Sequence, residues 1–211
     1  MTIHNFDTNP SVMTGNDPKS FESLGLGQNI TQSIYDLING GRSISPSLIQ
    51  SAVIPLILRY RNVVFSAETG SGKTIAYLTP LIQLIQQTKV VNSNRSRKCP
   101  LGLIVLPSRE LTEQVGVVAK QLCANTDVGV ATMIGGLPKH LHQTGIDLVV
   151  TTIGIIESHL NNGVYSLRNL NHIVIDEADT LLDDSFTYET MDLLEKLNVI
   201  IEMIDISEFN P

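Results

Sequence analysis

Ala67-Glu68-Thr69-Gly70-Ser71-Gly72-Lys73-Thr74 decides the reading of this chain. It follows an apolar, β-rich run, Asn62-Val63-Val64-Phe65-Ser66, and opens a helical pattern from Ile75 to about Gln87. A strand, a small-residue loop and a helix start carrying Lys-Thr form a cradle for nucleotide phosphates. The loop N–H groups and the helix N-terminus face the anion, Lys73 reaches the outer phosphates, and the Thr74 hydroxyl ligates magnesium. The general pattern asks for Gly where this chain has Ala67. A Gly/Ser turn that merely stops a strand is the alternative, and the strand-before, helix-after context argues against it.

The 211 residues suffice for one large domain or two small ones with a proper core. The composition, 42% hydrophobic and 17% charged, is that of a soluble globular protein, and no apolar run reaches the roughly 20 residues that span a bilayer. A net charge of −7 argues against charge-driven nucleic-acid binding, so any grip on nucleic acid has to be local. Cys99 and Cys123 suggest neither a disulfide framework nor a zinc site and read as reduced, partly buried thiols of an intracellular protein. Met1 to Lys19 has no secretory core, and Asp7 and Asp17 interrupt any presequence character; it reads as a disordered lead-in.

Outward from the loop, strands alternate with helices. Helical spacing starts at Phe21 and continues through Leu24, Leu26, Ile30, Ile34, Leu37 and Ile38 to a stop at Asn39-Gly40-Gly41. Pro46 opens a second helix that ends near Arg61. Asn62–Ser66 reads as the first strand, and Thr88–Lys98, with Arg95, Arg97 and Lys98, as an exposed loop. Leu101–Leu106, Val128–Ile134, Asp147–Thr151 and His172–Ile175 read as further strands. Ser108 caps the helix carrying Leu111, Val115, Val118 and Leu122, and Ile155–Leu160 is a short helix. This rhythm predicts an α/β fold, a parallel sheet covered on both faces with its chemistry at the strands' carboxyl ends.

The last clear strand runs into Asp176-Glu177-Ala178-Asp179. A carboxylate at that strand end can share the magnesium with Thr74, and Glu177 is then placed to orient or deprotonate the attacking water. An acidic helix start favoured by the dipole is the plainer alternative.

Asp176-Glu177-Ala178-Asp179 spells the signature of the DEAD-box RNA helicases, and the chain resembles their first RecA-like domain over nearly its whole ordered length. That resemblance implies ATP and Mg²⁺ as cofactors and RNA as partner. It accounts for Ala67, and it gives Ala67, Thr69, Gly70, Ser71, Gly72, Lys73 and Thr74 to ATP, Thr74 and Asp176 to the metal, and Lys73, Asp176 and Glu177 to catalysis. Pro46-Ser47-Leu48-Ile49-Gln50 resembles the adenine-reading element, and the Gln50 carboxamide offers donors and acceptors that suit the adenine edge. Phe21 resembles the upstream aromatic that packs near the base, although its spacing to Gln50 is long; a core anchor of the first helix is an equal reading.

The same resemblance assigns RNA contacts. Pro107-Ser108-Arg109-Glu110-Leu111 is similar to the first contact element, with Ser for the usual Thr, and Arg109 binds the RNA backbone or supports the loop that does. Gly135-Gly136 matches the second, where missing side chains let a phosphate approach backbone N–H groups. Thr152-Ile153-Gly154-Ile155 stands where the family has Thr-Pro-Gly-Arg; Thr152 and Gly154 match, but the arginine of the phosphate grip is absent. Asp179 would couple to the second domain. The stretch Asp176 to Phe186 is similar to an organelle-associated branch acting in mitochondrial ribosome assembly, which implies ribonucleoprotein partners and a mitochondrial setting; cytoplasm and nucleus stay open. His140 and His142 lack metal-ligating companions and read as surface histidines.

The family's Ser-Ala-Thr strand, which lies between the phosphate-loop strand and the Asp-Glu strand, does not occur here, nor does a second RecA-like domain. The expectation is an incomplete domain: 1–19 lead-in, 20–61 adenine-reading helical segment, 62–197 RecA-like ATP-binding domain and 198–211 truncated tail. The sheet should then have a central gap with unpaired edges, and Asn198–Ile206 should either continue a helix or be drawn to that gap. Three functions compete. The leading one is the ATP-binding half of an RNA helicase. A non-catalytic module binding RNA or a helicase partner is the second. A small-molecule kinase, which leaves Gln50, Arg109 and Gly135-Gly136 without roles, is the third.

Overall fold

Gly102–Leu106 is an uninterrupted apolar run, too short for a helix and closed by Pro107, and it forms the central strand β1 with every residue buried. The computed structural model describes residues 20–91, 99–135, 145–183 and 186–197. β1 lies between β3 (Leu148–Thr152) and β4 (His172–Ile175), and β2 (Val130–Met133) pairs with β3, giving the order β2-β3-β1-β4. All pairings are parallel, with Leu103 opposite Val149 and Ile173, and Ala131 also opposite Val149. Parallel strands need crossovers, and the helices between them cover both faces.

Period-two alternation divides the core. Ile104, Leu106, Leu148 and Val150 point to the face covered by α1 (Gln28–Asn39), α2 (Leu48–Leu58), α3 (Lys73–Val91) and α4 (Arg109–Leu122). Leu103, Val105, Ala131, Met133 and Val149 point to the other, covered by α5 (Ile153–Asn161), α6 (Ala178–Leu181) and α7 (Thr187–Lys196). Each fully buried Leu, Ile or Val contributes roughly 1.5–3 kcal/mol, so both layers are needed to hold the sheet. No described helix is long and apolar enough to cross a membrane.

The strand expected over Asn62–Ser66 is not a strand. Residues 61–68 carry no regular secondary structure, although Val63, Phe65 and Ala67 are half-buried while Val64 and Ser66 are exposed. The alternation of a strand is therefore kept without its ladder. A strand exists through hydrogen bonds to a neighbour, and among the described residues none lies between this segment and β4, which forms the sheet edge with all four residues only half-buried.

The helix expected from Phe21 is two pieces. A 3₁₀ turn at Glu22–Leu24 ends on Gly25 at φ 98°, and α1 begins only after Gly27. The second helix starts at Leu48 with Ser47 as its cap, not at Pro46. α3 begins at Lys73 and runs to Val91, past the expected end and into the stretch read as a loop. Its last turn is held by Lys89, whose ammonium reaches Asp147 Oδ2 at 3.0 Å and Asp127 Oδ2 at 3.2 Å. Cys99 and Cys123 are both buried, and burial pushes the Cys123 thiol up to about 12. The lead-in 1–19, the Arg95–Lys98 charges, Gly136, His140, His142 and the tail 198–211 lie outside the described residues.

Candidate functional site

The parallel register brings the singled-out motifs together. Leu106 is level with Thr152, Val105 with Ile175, and Met133 with Thr151, so all four strands deliver their carboxyl ends to one edge of the sheet. From those ends continue Ser108-Arg109, Ile134-Gly135, Thr152-Ile153-Gly154 and Asp176-Glu177.

The loop before α3 is shaped by two glycines in the left-handed region, Gly70 at φ 84° and Gly72 at φ 94°. Gly72 is also required by contact: a Cβ there would stand 2.3 Å from Gln50 Nε2. Gln50 is buried and works as an organiser. Its Oε1 accepts the Ser47 N–H at 2.8 Å, completing a capping box, and its Nε2 donates to the Gly72 carbonyl at 3.3 Å. The Ser47 hydroxyl donates to the Ser71 carbonyl at 2.8 Å. The start of α2 is thereby tied to the phosphate loop at two points, leaving Gln50 one donor and one acceptor lone pair. Lys73 Nζ lies across the loop, donating to the Ala67 carbonyl at 2.5 Å. Thr69 and Gly70 are exposed, and Lys73 and Thr74 open α3, where the first N–H groups of a helix have no intrahelical partner.

Across from the loop, Asp176 is held from two sides. Its Oδ2 accepts the Tyr77 hydroxyl at 2.7 Å and its Oδ1 accepts the Glu177 N–H at 3.0 Å. Thr74 lies one helical turn before Tyr77, and its hydroxyl acts on the phenol in the direction that favours ionisation. Burial, and next the Asp176 charge, drive the Tyr77 pKa well above its ordinary value, so the phenol stays a proton donor. Among the described residues Glu177 is one of two non-glycines at positive φ, at φ 51° and ψ 50°, which turns its exposed side chain away from the strand direction. A β-carbon in that conformation costs about 1–2 kcal/mol, the kind of strain kept at working sites. Asp179 is exposed and its Oδ1 accepts the Thr180 N–H at 2.9 Å.

These residues fit a magnesium ion delivered with a nucleotide. Thr74 and Asp176 supply hard oxygen donors, the number such an ion takes from protein when phosphates and water complete its shell. Ser71 Oγ, in the same loop, is buried with no hydrogen-bond partner.

A second cluster lies at the β2 and β3 ends. Arg109 Nη1 donates to the Gly135 carbonyl at 3.4 Å while its Nε holds Glu113 at 3.1 Å. A Cβ on Gly135 would stand 3.8 Å from Ile155 Cδ1. The Thr152 hydroxyl makes no cap bond on α5, and Gly154 has open space around it. Arg109, Gly135 and the Thr152–Ile155 turn are thus neighbours. Phe21, in contrast, is fully buried, edge-on to Tyr35 with ring centroids 6.2 Å apart, and has no open face for a base. Sequence reasoning missed Tyr77 and the bridging role of Ser47. The signals were present, Tyr77 three and four residues beyond Thr74 and Lys73 on one helix face, and Ser47-x-x-Gln50 as a capping box.

Comparison with known proteins agrees with this geometry. The DEAD/DEAH box helicase family matches residues 47–207. The chain is 35% identical over 209 residues to the mouse and human "Probable ATP-dependent RNA helicase DDX28", covering 96% of this chain and 38% of each relative. It is 36% identical over 194 residues to "ATP-dependent RNA helicase dbp9" of Aspergillus oryzae, covering 89% of this chain and 30% of the relative. A crystal structure of a DEAD box protein from Methanococcus jannaschii superposes with a TM-score of 0.70 at 33% identity, over 83% of this chain and 46% of that one. Yeast Dbp5 bound to RNA and ADP BeF3 shares the fold, with a TM-score of 0.72 at 24% identity over 88% of this chain and 45% of that one. The chain therefore spans less than half the length of each of these proteins and carries the RecA-like α/β fold. It belongs to the DEAD/DEAH box helicase family.

Proposed function

We propose that this chain is the ATP-binding half of an RNA helicase, holding Mg·ATP at the α3 loop and RNA at the β2–β3 ends. The observation that carries the reading is the 2.7 Å bond from Tyr77 on α3 to Asp176 at the end of β4, which joins the phosphate loop to the Asp-Glu element across the sheet edge. The loop N–H groups and Lys73 bind the phosphates, and Gln50 uses its remaining donor and acceptor toward adenine while it braces the loop. When bound, magnesium neutralises charge developing on the phosphate oxygens. Glu177 orients the attacking water and takes its proton. Arg109, Gly135, Gly136, Thr152 and Gly154 contact the RNA backbone, and Asp179 couples to a second domain of the longer helicase. Phe21 supports the base site from within the core. Fluorescent-ATP titration tests this: Lys73→Ala should abolish binding, and unchanged affinity would remove the loop from the reading.

A second reading is favoured by Ile155, which packs against the core beside Gly135 where the family grips phosphate with arginine. In it the chain is a non-catalytic module that binds RNA or a helicase partner. It predicts partner binding indifferent to ATP and to Lys73→Ala. The Asp176–Phe186 stretch supports a mitochondrial, ribosome-assembly setting, which imaging of the tagged chain together with identification of co-purified RNA would test.

A further inference from the structure

Tyr77 is one helical turn beyond Thr74 and bonds Asp176, the two residues that the nucleotide reading gives to magnesium. Its ring is 4% exposed, and phenylalanine would fill the same space. A buried hydroxyl costs free energy unless it is satisfied, so what satisfies it is informative. Its partner belongs to the site: the phenol donates to Asp176 Oδ2 at 2.7 Å, from the helix turn that follows Thr74. Asp176 is pinned between the phenol and the Glu177 N–H, which fixes the rotation of its carboxylate.

We infer that Tyr77 is a positioning residue for the cation that accompanies the nucleotide: the relay from Tyr77, on the helix that Thr74 opens, to Asp176 sets that carboxylate in one fixed orientation toward the Thr74 side of the site before the cation arrives. The inference rests on the phosphate-loop reading above. It assigns the tyrosine hydroxyl, rather than the ring, to function.

The test is ATP affinity of the full 211-residue chain with Mg²⁺ titrated in, and again in EDTA, for wild type and Tyr77→Phe, with thermal unfolding of each measured without nucleotide. The relay predicts ATP affinity in EDTA unchanged within about twofold, while the Mg²⁺ concentration giving half the affinity gain rises about ten- to a hundredfold, as expected for losing one hydrogen bond to a charged group. A Mn²⁺ electron-paramagnetic signal in the ATP complex should broaden in the variant. Asp176→Ala removes the acceptor and so breaks the relay from its other end, and adding Tyr77→Phe to it should cost nothing more. An unchanged or tighter Mg²⁺ dependence in Tyr77→Phe overturns the inference, as does an equal loss with and without Mg²⁺, which is the mark of a packing role. Lys73→Ala separates the two failures. If it abolishes binding while Tyr77→Phe leaves Mg²⁺ dependence unchanged, only the relay fails. If wild type binds no ATP, or Lys73→Ala binds like wild type, the phosphate-loop reading fails and takes the relay with it.

Discussion

Arg109 reaches from the first turn of α4 to the carbonyl of Gly135 at the end of β2, 3.4 Å away, and so ties together two elements that lie 26 residues apart in the chain. Its guanidinium is more than half exposed and has donors left over. Arg109→Ala should weaken binding of single-stranded RNA about tenfold and reduce its salt dependence, with ATP affinity unchanged. Ile155→Arg should do the reverse, strengthening RNA binding by returning a cation to the adjacent turn. Filter binding at two salt concentrations checks both, and equal RNA affinity in all three proteins would detach this cluster from RNA.

Glu177, the base of the proposed reaction, sits on a strained backbone. Glu177→Gln should leave ATP affinity intact and remove whatever hydrolysis the chain supports, because the amide cannot take a proton from water. Glu177→Gly should remove hydrolysis too but raise stability by about 1 kcal/mol, since glycine occupies the left-handed region freely. Chemical denaturation and phosphate release read the two effects separately. Hydrolysis retained in Glu177→Gln would exclude the carboxylate as base.

Much of this arrangement was legible in the sequence. β1, β3 and β4 are short apolar runs bounded by turn residues, and their order of appearance between helices dictated a parallel sheet. The Ala67–Thr74 loop was legible from its spacing of glycines before Lys-Thr, and the structure gives the reason for them: Gly70 and Gly72 lie at positive φ, and Gly72 has no room for a Cβ beside Gln50. What stayed hidden depends on partners remote in sequence. Val63 and Phe65 have the alternation of a strand, but whether a strand forms is decided by a neighbour. The end of α3 depends on Lys89 meeting Asp127 and Asp147, and the value of Tyr77 depends on an aspartate 99 residues away.

Lys89 illustrates the energetic side. The Asp147 side chain is fully buried and also accepts the Gly129 N–H at 2.8 Å. Lys89→Met keeps the alkyl packing but takes the cation from the buried carboxylate, so it should destabilise the protein by about 3 kcal/mol at pH 7. Urea titration of both proteins at pH 7 tests this, and a loss below about 1 kcal/mol would show that the ion pair contributes little.

His172 gives the protein an acid sensitivity of known sign. Burial lowers its pKa, and its Nε2 is buried without a hydrogen-bond partner beside the stacked ring of Tyr60. The unfolded chain binds a proton near pH 6.5 and the folded one only at lower pH. Stability from the neutral ring is therefore complete above about pH 6.5 and is lost as pH falls through the window below it. His172→Gln should flatten the fall in Tm between pH 7 and pH 5 relative to wild type; parallel curves would assign the acid sensitivity to other groups.

The central claim is that the α3 loop, braced by Gln50 and Ser47, selects adenine nucleotides. Isothermal titration of the purified chain with ATP and with GTP, each with magnesium, tests it most directly. The account predicts ATP binding at least about tenfold tighter than GTP, a difference of about 1.4 kcal/mol from the carboxamide donor and acceptor of Gln50. Equal affinity for the two nucleotides, or heat from neither, would contradict it.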